Sequence, residues 1–129
     1  ATTPNGLGLS PDGKTLYVAE TDTARLWAWE VTGPGELKKL PWPSPYGGRC
    51  VAGLGGYTRF DSLAVLASGK VCVAALDTCS VAEISPDGSW RKVAVPDLLV
   101  TNLCFGGTDM RTAWVTMSYG GKLAQMTWD

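Results

Sequence analysis

The sequence lacks histidine, Cys-x-x-Cys pairs and long apolar runs. Without an imidazole, a Ser–His–Asp or Cys–His catalytic device is excluded, and so is a zinc site built from thiolate and imidazole ligands. A membrane-spanning helix needs roughly 20 predominantly apolar residues, and no segment reaches that length. No signal-peptide pattern opens the chain, so we expect a cytoplasmic protein without a membrane partner.

An excess of charge of one sign is also absent. The 129 residues carry 11 basic and 12 acidic side chains, which gives a formal net charge of −1. The basic residues form no stripe along the chain. Nucleic acids and anionic surfaces are therefore not expected partners.

The four cysteines, Cys50, Cys72, Cys79 and Cys104, show no metal-binding spacing. In a cytoplasmic protein we expect them to be buried free thiols. A bridge between Cys72 and Cys79 is the alternative, and sequence alone leaves it open.

What the sequence does contain is a pattern that occurs three times. Two short runs of alternating apolar residues are joined by a turn containing Gly or Asp, which is typical of a β-hairpin. The paired runs are residues 7–9 with 15–19, 63–65 with 70–74, and 103–105 with 112–116. A third strand is predicted after each hairpin, over residues 25–31, 80–85 and 122–128. No segment has a sustained helical period, so the chain is predicted to be all-β.

The spacing of the hairpins predicts a β-propeller. From Leu7 to Leu63 is 56 residues and from Leu63 to Leu103 is 40, close to the length of a four-stranded blade. We divide residues 1–129, a partial propeller, into approximate blades at 4–58, 59–99 and 100–129. That makes about three four-stranded blades, or half of a six-bladed ring. The extra length of the first repeat, between Gly33 and Thr58, is interpreted as an outer strand plus a long loop.

Three blades form an open arc that leaves an apolar face uncovered on each terminal blade. Repeat arrays need caps or closure to remain soluble. We therefore expect the ring to be completed by a second copy of this chain or by an amino-terminal half.

Three blocks of sequence occur in series: PNGLGLSPDGKTLYVAET at 4–21, FDSLAV at 60–65 and TNLCFGG at 101–107. Together they resemble the senescence marker protein/gluconolactonase/luciferin-regenerating enzyme family, which includes regucalcin-like proteins, over its carboxy-terminal half only. The resemblance implies a six-bladed propeller that binds one divalent cation in its central channel. It also implies hydrolysis of sugar lactones or related esters.

The same resemblance implies roles for individual residues. Asn5 matches the metal-binding asparagine of the family, and Asp61 matches its metal-binding aspartate, which is also the candidate general base. The equivalent position in the third repeat is Thr101, which offers no strong ligand. Amide and carboxylate oxygens suit calcium, with zinc, manganese or magnesium as alternatives. Because Asn5 and Asp61 each precede an innermost strand, both are expected to point towards the axis at the same end.

Some family features have no counterpart here. The metal-binding glutamate of the first blade is missing, and so are the substrate-orienting residues of the blade before Asn5. Ser62 stands where a glycine commonly follows the aspartate. The sequence therefore supplies about half of the ligands that the resemblance implies.

Simpler interpretations exist for most of these residues. Asn5 before Gly6 is alternatively a turn residue, and Asp61 alternatively hydrogen-bonds a neighbouring strand. Structural roles are expected for the turn aspartates Asp12, Asp87 and Asp109. The strand-end acids Glu20 and Asp22 are expected to be solvated. Packing between blades is expected for the strand tryptophans Trp27, Trp29, Trp90, Trp114 and Trp128.

Two functions follow from the sequence. The first is a metal-dependent hydrolase of sugar lactones or related esters that is active only in a completed ring. The second is a non-catalytic propeller fragment that serves as a binding or scaffold module. An inactive piece of such an enzyme is a variant of the second.

Overall fold

The computed structural model describes residues 1–129 and contains strands but no helix. Its twelve strands are β1 (Pro4–Leu9), β2 (Thr15–Glu20), β3 (Arg25–Gly33), β4 (Glu36–Lys38), β5 (Arg49–Gly53), β6 (Arg59–Val65), β7 (Val71–Leu76), β8 (Ser80–Ile84), β9 (Trp90–Ala94), β10 (Val100–Gly106), β11 (Thr112–Met117) and β12 (Lys122–Thr127). The all-β prediction is confirmed. No helix has the length and apolarity that a membrane crossing requires.

The strands form three antiparallel sheets. The first contains β1 to β5, the second β6 to β9, and the third β10 to β12. Each predicted hairpin is confirmed as the first two strands of a sheet, and each predicted third strand follows it. The number of blades, their boundaries and the half-ring stay predictions.

The outer strand of the first sheet is interrupted by an insertion. β4 pairs with the later half of β3, for example Val31 with Leu37, and β5 pairs with the earlier half, for example Leu26 with Ala52. Between them, residues 39–48 leave the sheet and return. The predicted outer strand plus long loop is confirmed, although the strand is split in two.

Tyr46 fixes this insertion to the sheet. Its ring meets Trp27 edge-on at 5.1 Å between centroids, and its carbonyl accepts a 3.3 Å hydrogen bond from the Trp29 indole. Trp42, in the same insertion, is 89% exposed. Tyr46 is therefore the aromatic residue that holds the insertion against the sheet.

Two apolar cores lie on the two faces of the second sheet. The core shared with the first sheet contains Leu26, Phe60 and Val73. The core shared with the third sheet contains Val81 and Val115. β7 and β8 are buried on both faces, so the second sheet holds the other two in series.

The terminal sheets each keep one uncovered face. Leu63 packs against the first core, and Leu103 is buried in the second. Their counterpart in the first sheet, Leu7, is 68% exposed, and Leu9 is 52% exposed. On the free face of the third sheet, Leu123 is 67% exposed. The expected uncovered apolar faces are therefore found in the structure.

The expectation that Glu20 is solvated is wrong, because its side chain is fully buried. The carboxylate accepts hydrogen bonds from the Thr2 backbone N–H at 2.7 Å, the Thr23 hydroxyl, and the Trp27 indole at 3.3 Å. Burial by itself raises the pKa of Glu20, but these donors outweigh it and lower the pKa below its usual value.

Two further expectations about burial need correction. Trp90 is 44% exposed because it lies on β9, an outer strand that pairs only with β8. All four cysteines are free thiols, as expected, but only Cys72 is buried. The Cys72–Cys79 bridge that sequence left open is therefore absent from the structure.

Candidate functional site

The innermost strand of each sheet contains a β-bulge at the same end. An extra residue in that strand breaks the regular pairing, and such bulges change the direction in which side chains point. The shifts lie between Pro4 and Leu7 in β1, between Phe60 and Leu63 in β6, and between Val100 and Asn102 in β10. Asn5, Asp61 and Thr101 lie inside these three shifts. The structure therefore gives the three residues the same strand position.

The first two of these positions are close because β1 has glycine where it meets β6. A Cβ added at Gly6 would lie 2.5 Å from the Leu63 backbone nitrogen and 2.7 Å from the Asp61 carbonyl oxygen. A Cβ at Gly8 would lie 2.9 Å from the Leu63 side chain. Backbone contact between the two inner strands thus depends on residues without side chains. It brings Asn5 and Asp61 together.

Asp61 is partly buried, and its surroundings change its acidity. Burial raises the pKa of the carboxyl above its ordinary value, while the Asn5 side chain and the Ser62 backbone N–H lower it by hydrogen bonding. The net change is upward. Asn5 and Asp61 thus lie close together, and their metal-binding and catalytic roles stay predictions.

Asn5 and Asp61 offer the type of oxygen donor that a hard divalent cation prefers, but they offer too few donors. One carboxylate and one amide oxygen are suitable donors, but calcium takes six to eight oxygen ligands. No group of three or more Asp, Glu, Cys or His side chains in the structure could hold a metal ion. A cation beside Asp61 would also counteract the upward shift of its pKa. A complete ligand set needs donors beyond these two residues.

Arg59, two residues before Asp61, forms an ion pair that the sequence did not predict. Arg59 donates to Asp77 through Nε at 2.8 Å and Nη2 at 3.2 Å. These bonds raise the pKa of Arg59 and lower that of Asp77, so both stay charged. The guanidinium also lies 5.8 Å from the centre of the Tyr57 ring. Arg59 is thereby held in place at the start of β6.

Thr101 belongs to a cluster of hydroxyl groups. Its Oγ1 lies 2.9 Å from Thr116 Oγ1 and 2.9 Å from Ser118 Oγ. Sequence analysis missed Thr116 and Ser118. The available signal was the pattern Thr-x-Ser at the end of β11, where the second sheet has Ala74 and Leu76.

Asp97 fixes the turn that follows β11. This buried carboxylate accepts hydrogen bonds from the backbone N–H groups of Leu99 at 2.8 Å, Tyr119 at 3.2 Å and Gly120 at 2.8 Å. Burial raises its pKa, but the three N–H donors outweigh that effect and lower it. Because Ser118 immediately precedes this turn, Asp97 holds one side of the hydroxyl cluster.

The turn aspartates are structural, as predicted. Each accepts a hydrogen bond from the backbone two residues later and so closes its own hairpin turn. The pairs are Asp12 with Lys14 at 3.0 Å, Asp87 with Ser89 at 2.9 Å, and Asp109 with Arg111 at 3.0 Å.

Comparison with protein families matches residues 1–119 to the SMP-30/Gluconolactonase/LRE-like region. Among curated proteins, the 6-deoxy-6-sulfogluconolactonase of Pseudomonas putida is 30% identical over 122 residues. That alignment covers 94% of this chain and 40% of the longer protein.

Solved structures give a concordant result. A gluconolactonase from Xanthomonas campestris matches with a TM-score of 0.75 and 23% identity, over 98% of this chain and 38% of that one. Regucalcin from Agrobacterium tumefaciens, described as a calcium-binding protein, matches with a TM-score of 0.71 and 23% identity, over 89% and 38% respectively. At these identities the likeness establishes a shared fold. The chain spans only 38 to 40% of the length of these relatives.

Proposed function

The chain belongs to the SMP-30/gluconolactonase/LRE-like family, and on that premise we propose that it contributes Asn5 and Asp61 to the active site of a metal-dependent lactone hydrolase. The substrates are sugar lactones or related esters. The observation that carries the proposal is the contact between Asn5 and Asp61 at matching bulges of neighbouring inner strands. The names of the Pseudomonas and Xanthomonas relatives support the substrate class.

In the proposed reaction, Asp61 is the general base. Its carboxylate accepts a proton from water, and the water oxygen forms a bond to the lactone carbonyl carbon. The carbon–oxygen bond of the ring then breaks, and the ring oxygen takes up a proton to leave as an alcohol. The product is an open-chain hydroxy acid.

A divalent cation, calcium first and zinc, manganese or magnesium as alternatives, would be held by Asn5 and Asp61 and would polarise the lactone carbonyl. Asn5 also acts on the base, because its side chain lies close enough to Asp61 to lower the pKa of that carboxyl.

We further propose that activity requires additional sheets, from a second copy or from an amino-terminal half. Three observations support this requirement. Leu7 and Leu9 leave an apolar face uncovered, Asn5 and Asp61 supply only two donors, and the chain covers 40% of its curated relative.

The decisive experiment replaces Asp61 by Asn in the protein with its ring completed and measures hydrolysis of D-glucono-δ-lactone in the presence of calcium. Loss of the base is expected to reduce turnover by at least about 100-fold. Asp109→Asn, in a hairpin turn, is the matched control and is expected to keep its activity. Unchanged turnover in Asp61→Asn, with the fold intact by circular dichroism, would refute the proposal.

The non-catalytic binding or scaffold module is the second candidate, and it is favoured by the small number of metal donors that Asn5 and Asp61 supply. It predicts that calcium does not raise the melting temperature of the completed protein. It also predicts that Asp61→Asn leaves ligand binding unchanged. The hydrolase predicts a calcium-dependent rise that Asp61→Asn abolishes.

A further inference from the structure

We infer that Glu20 is a positioning residue, which fixes Asn5 and Asp61 relative to each other through the turn between β2 and β3. The inference rests on the proposed function, in which Asn5 and Asp61 belong to the active site. Glu20 acts on the backbone that leads into each of the two residues, and it binds no substrate itself.

The side chain of Glu20 holds two segments of the chain at once. One carboxylate oxygen accepts the Thr2 backbone N–H at 2.7 Å, and the other accepts the Thr23 hydroxyl and the Trp27 indole N–H. Thr2 belongs to the segment that leads into β1, and Thr23 belongs to the β2–β3 turn. In the strand pairing, Glu20 lies opposite the residue that precedes Asn5. The carboxylate therefore joins the start of β1 to the turn.

The β2–β3 turn is hydrogen-bonded to both inner strands. Thr21 donates its N–H to the Thr3 carbonyl at 2.9 Å, and the next N–H of the turn bonds the Thr3 hydroxyl at 3.0 Å. On the other side, the Thr21 carbonyl accepts the Phe60 N–H at 3.2 Å. Thr3 lies two residues before Asn5, and Phe60 immediately precedes Asp61. The backbone of Thr21 thus bridges the two segments that carry the candidate site residues.

The fold does not require a carboxylate at this strand position. The register equivalents of Glu20 are Ala75 in the second sheet and Met117 in the third, each paired with the inner-strand residue just before the bulge. Both are buried apolar residues. Burying a charge has a cost that an apolar side chain avoids. A carboxylate only in the sheet that carries Asn5 therefore points to a local task.

Glutamine cannot take over the role of this carboxylate. An ionised Glu offers two acceptor oxygens, whereas Gln offers one oxygen and one NH₂ donor. In Glu20→Gln, either the Thr2 N–H or the two side-chain donors face another donor instead of an acceptor. A buried donor without an acceptor is costly, so one of the two segments has to move. Movement on either side changes the spacing between Asn5 and Asp61.

The test measures kcat and KM for D-glucono-δ-lactone with calcium present, in the protein with its ring completed. Glu20→Gln should lower kcat at least about tenfold, because a misplacement of about 1 Å can cost on the order of 100-fold in rate. KM should stay within about twofold. Glu83→Gln is the matched control, since Glu83 is also buried and also accepts an indole N–H, but joins the second sheet to the third. This control should lose stability and keep kcat within about twofold.

A milder pair of variants covers the case in which Glu20→Gln does not fold. Thr23→Val removes the hydroxyl that Glu20 accepts, and Thr23→Ser keeps it. Thr23→Val should lower kcat about threefold or more, and Thr23→Ser should recover most of that loss. Amide hydrogen exchange at Phe60 reports its bond to Thr21 directly, and it should be faster in both Glu20→Gln and Thr23→Val.

An unchanged kcat in Glu20→Gln would overturn the inference, and so would an equal fall in Glu20→Gln and Glu83→Gln. Equal values in Thr23→Val and Thr23→Ser would also contradict it. All three outcomes leave the proposed function standing, since wild type still hydrolyses the lactone. If wild type hydrolyses no lactone, the proposed function fails and amide exchange decides the inference. Unchanged exchange at Phe60 in Glu20→Gln then overturns it, and faster exchange supports the hold of Glu20 on β6.

Discussion

The indole N–H of Trp128 donates a 2.7 Å hydrogen bond to Glu83, which lies 45 residues earlier in the chain. Lys70 Nζ and Arg91 Nε each lie 2.9 Å from the other oxygen of the same carboxylate. The Glu83 side chain is only 2% exposed, so a buried charge is fully paired. This contact ties the last residues of the third sheet to the middle of the second.

Replacing Trp128 by Phe should weaken that connection. The variant keeps an aromatic ring against Phe105, which Trp128 meets edge-on at 5.3 Å, but loses the bond to Glu83. A hydrogen bond to a charged group contributes about 1.5–3 kcal/mol, so the free energy of unfolding should fall by about 2 kcal/mol. Urea denaturation measures it. The control Trp90→Phe, at a 44% exposed position, should change it by less than about 0.5 kcal/mol.

Acid should destabilise the protein partly through Glu83. Burial raises the pKa of this carboxyl, but hydrogen bonds from Arg91, Lys70 and Trp128 outweigh it and lower the pKa to about 2. The folded-state pKa lies below the unfolded-state value, so the stabilisation is complete above about pH 4.5 and is lost as pH falls towards 2. The shift corresponds to at most ~3 kcal/mol, and because both cations are about half exposed we expect about 1–2 kcal/mol.

The measurement is the free energy of unfolding at pH 7, 4.5 and 2.5 in wild type and Glu83→Gln. Glu20 and Asp97 also have lowered pKa values, so wild type should lose stability through several groups. The Gln variant should be less stable at pH 7 but lose less between pH 4.5 and 2.5. Parallel curves for the two proteins would rule out a contribution from Glu83 titration.

Gly6 should tolerate no side chain. A Cβ there meets backbone atoms of Leu63 and Asp61 at 2.5 and 2.7 Å, and backbone cannot move aside as a flexible side chain can. Gly6→Ala should lower the free energy of unfolding by about 2 kcal/mol or more and separate Asp61 from Asn5. Gly55→Ala is the control, because nothing lies within 4 Å of its Cβ position. Equal stability of the two variants would contradict the close approach of β1 and β6.

Cysteine reactivity should distinguish one thiol from the other three. Burial, together with the nearby Glu83 carboxylate, raises the pKa of Cys72 to about 12, while Cys50, Cys79 and Cys104 are exposed. Iodoacetamide at pH 8 should modify the three exposed thiols in the native chain, and Cys72 only after unfolding. Mass spectrometry of peptides gives the sites. Labelling of Cys72 at the rate of the others would contradict its burial.

The parts of the fold that sequence predicted are those set by local chemistry. The hairpin turn before β2 follows from Asp12 and from Gly13, whose positive φ of 70° suits glycine. The alternation of buried apolar residues in β11 follows from burial of one sheet face. These features need no knowledge of distant contacts, and all of them were predicted.

The errors arose where distant contacts decide the outcome. Glu20 is buried because Thr2 and Trp27 reach it from other segments, which no local pattern reveals. The proximity of Asn5 and Asp61 was predicted only by combining the internal repeat with a family resemblance. Thr116 and Ser118 acquire significance only once β10 and β11 are paired in register. Strand register, more than strand location, was the missing information.

The uncovered face of the first sheet makes a prediction about assembly. Leu63 is packed by the first sheet, whereas its counterpart Leu7 is 68% exposed and Leu9 is 52% exposed. Full burial of a leucine is worth about 1.5–3 kcal/mol, so an interface there would gain several kcal/mol from the two residues. Because both are already exposed in the single chain, Leu7→Ser combined with Leu9→Ser should leave its folding nearly unchanged. The same double variant should abolish ring completion.

Native mass spectrometry with calcium present tests this directly. If a second copy completes the ring, the 13.6 kDa wild-type chain should appear as a dimer and the double-serine variant as a monomer. Leu40→Ser, at a 45% exposed position on the insertion, should dimerise like wild type.

A dimeric double variant would mean that the face around Leu7 is not the contact. A monomeric wild type would exclude closure by a second copy and leave an amino-terminal half, whose addition should then protect Leu7 and Leu9 from solvent. Either result decides which assembly the lactone assays must use.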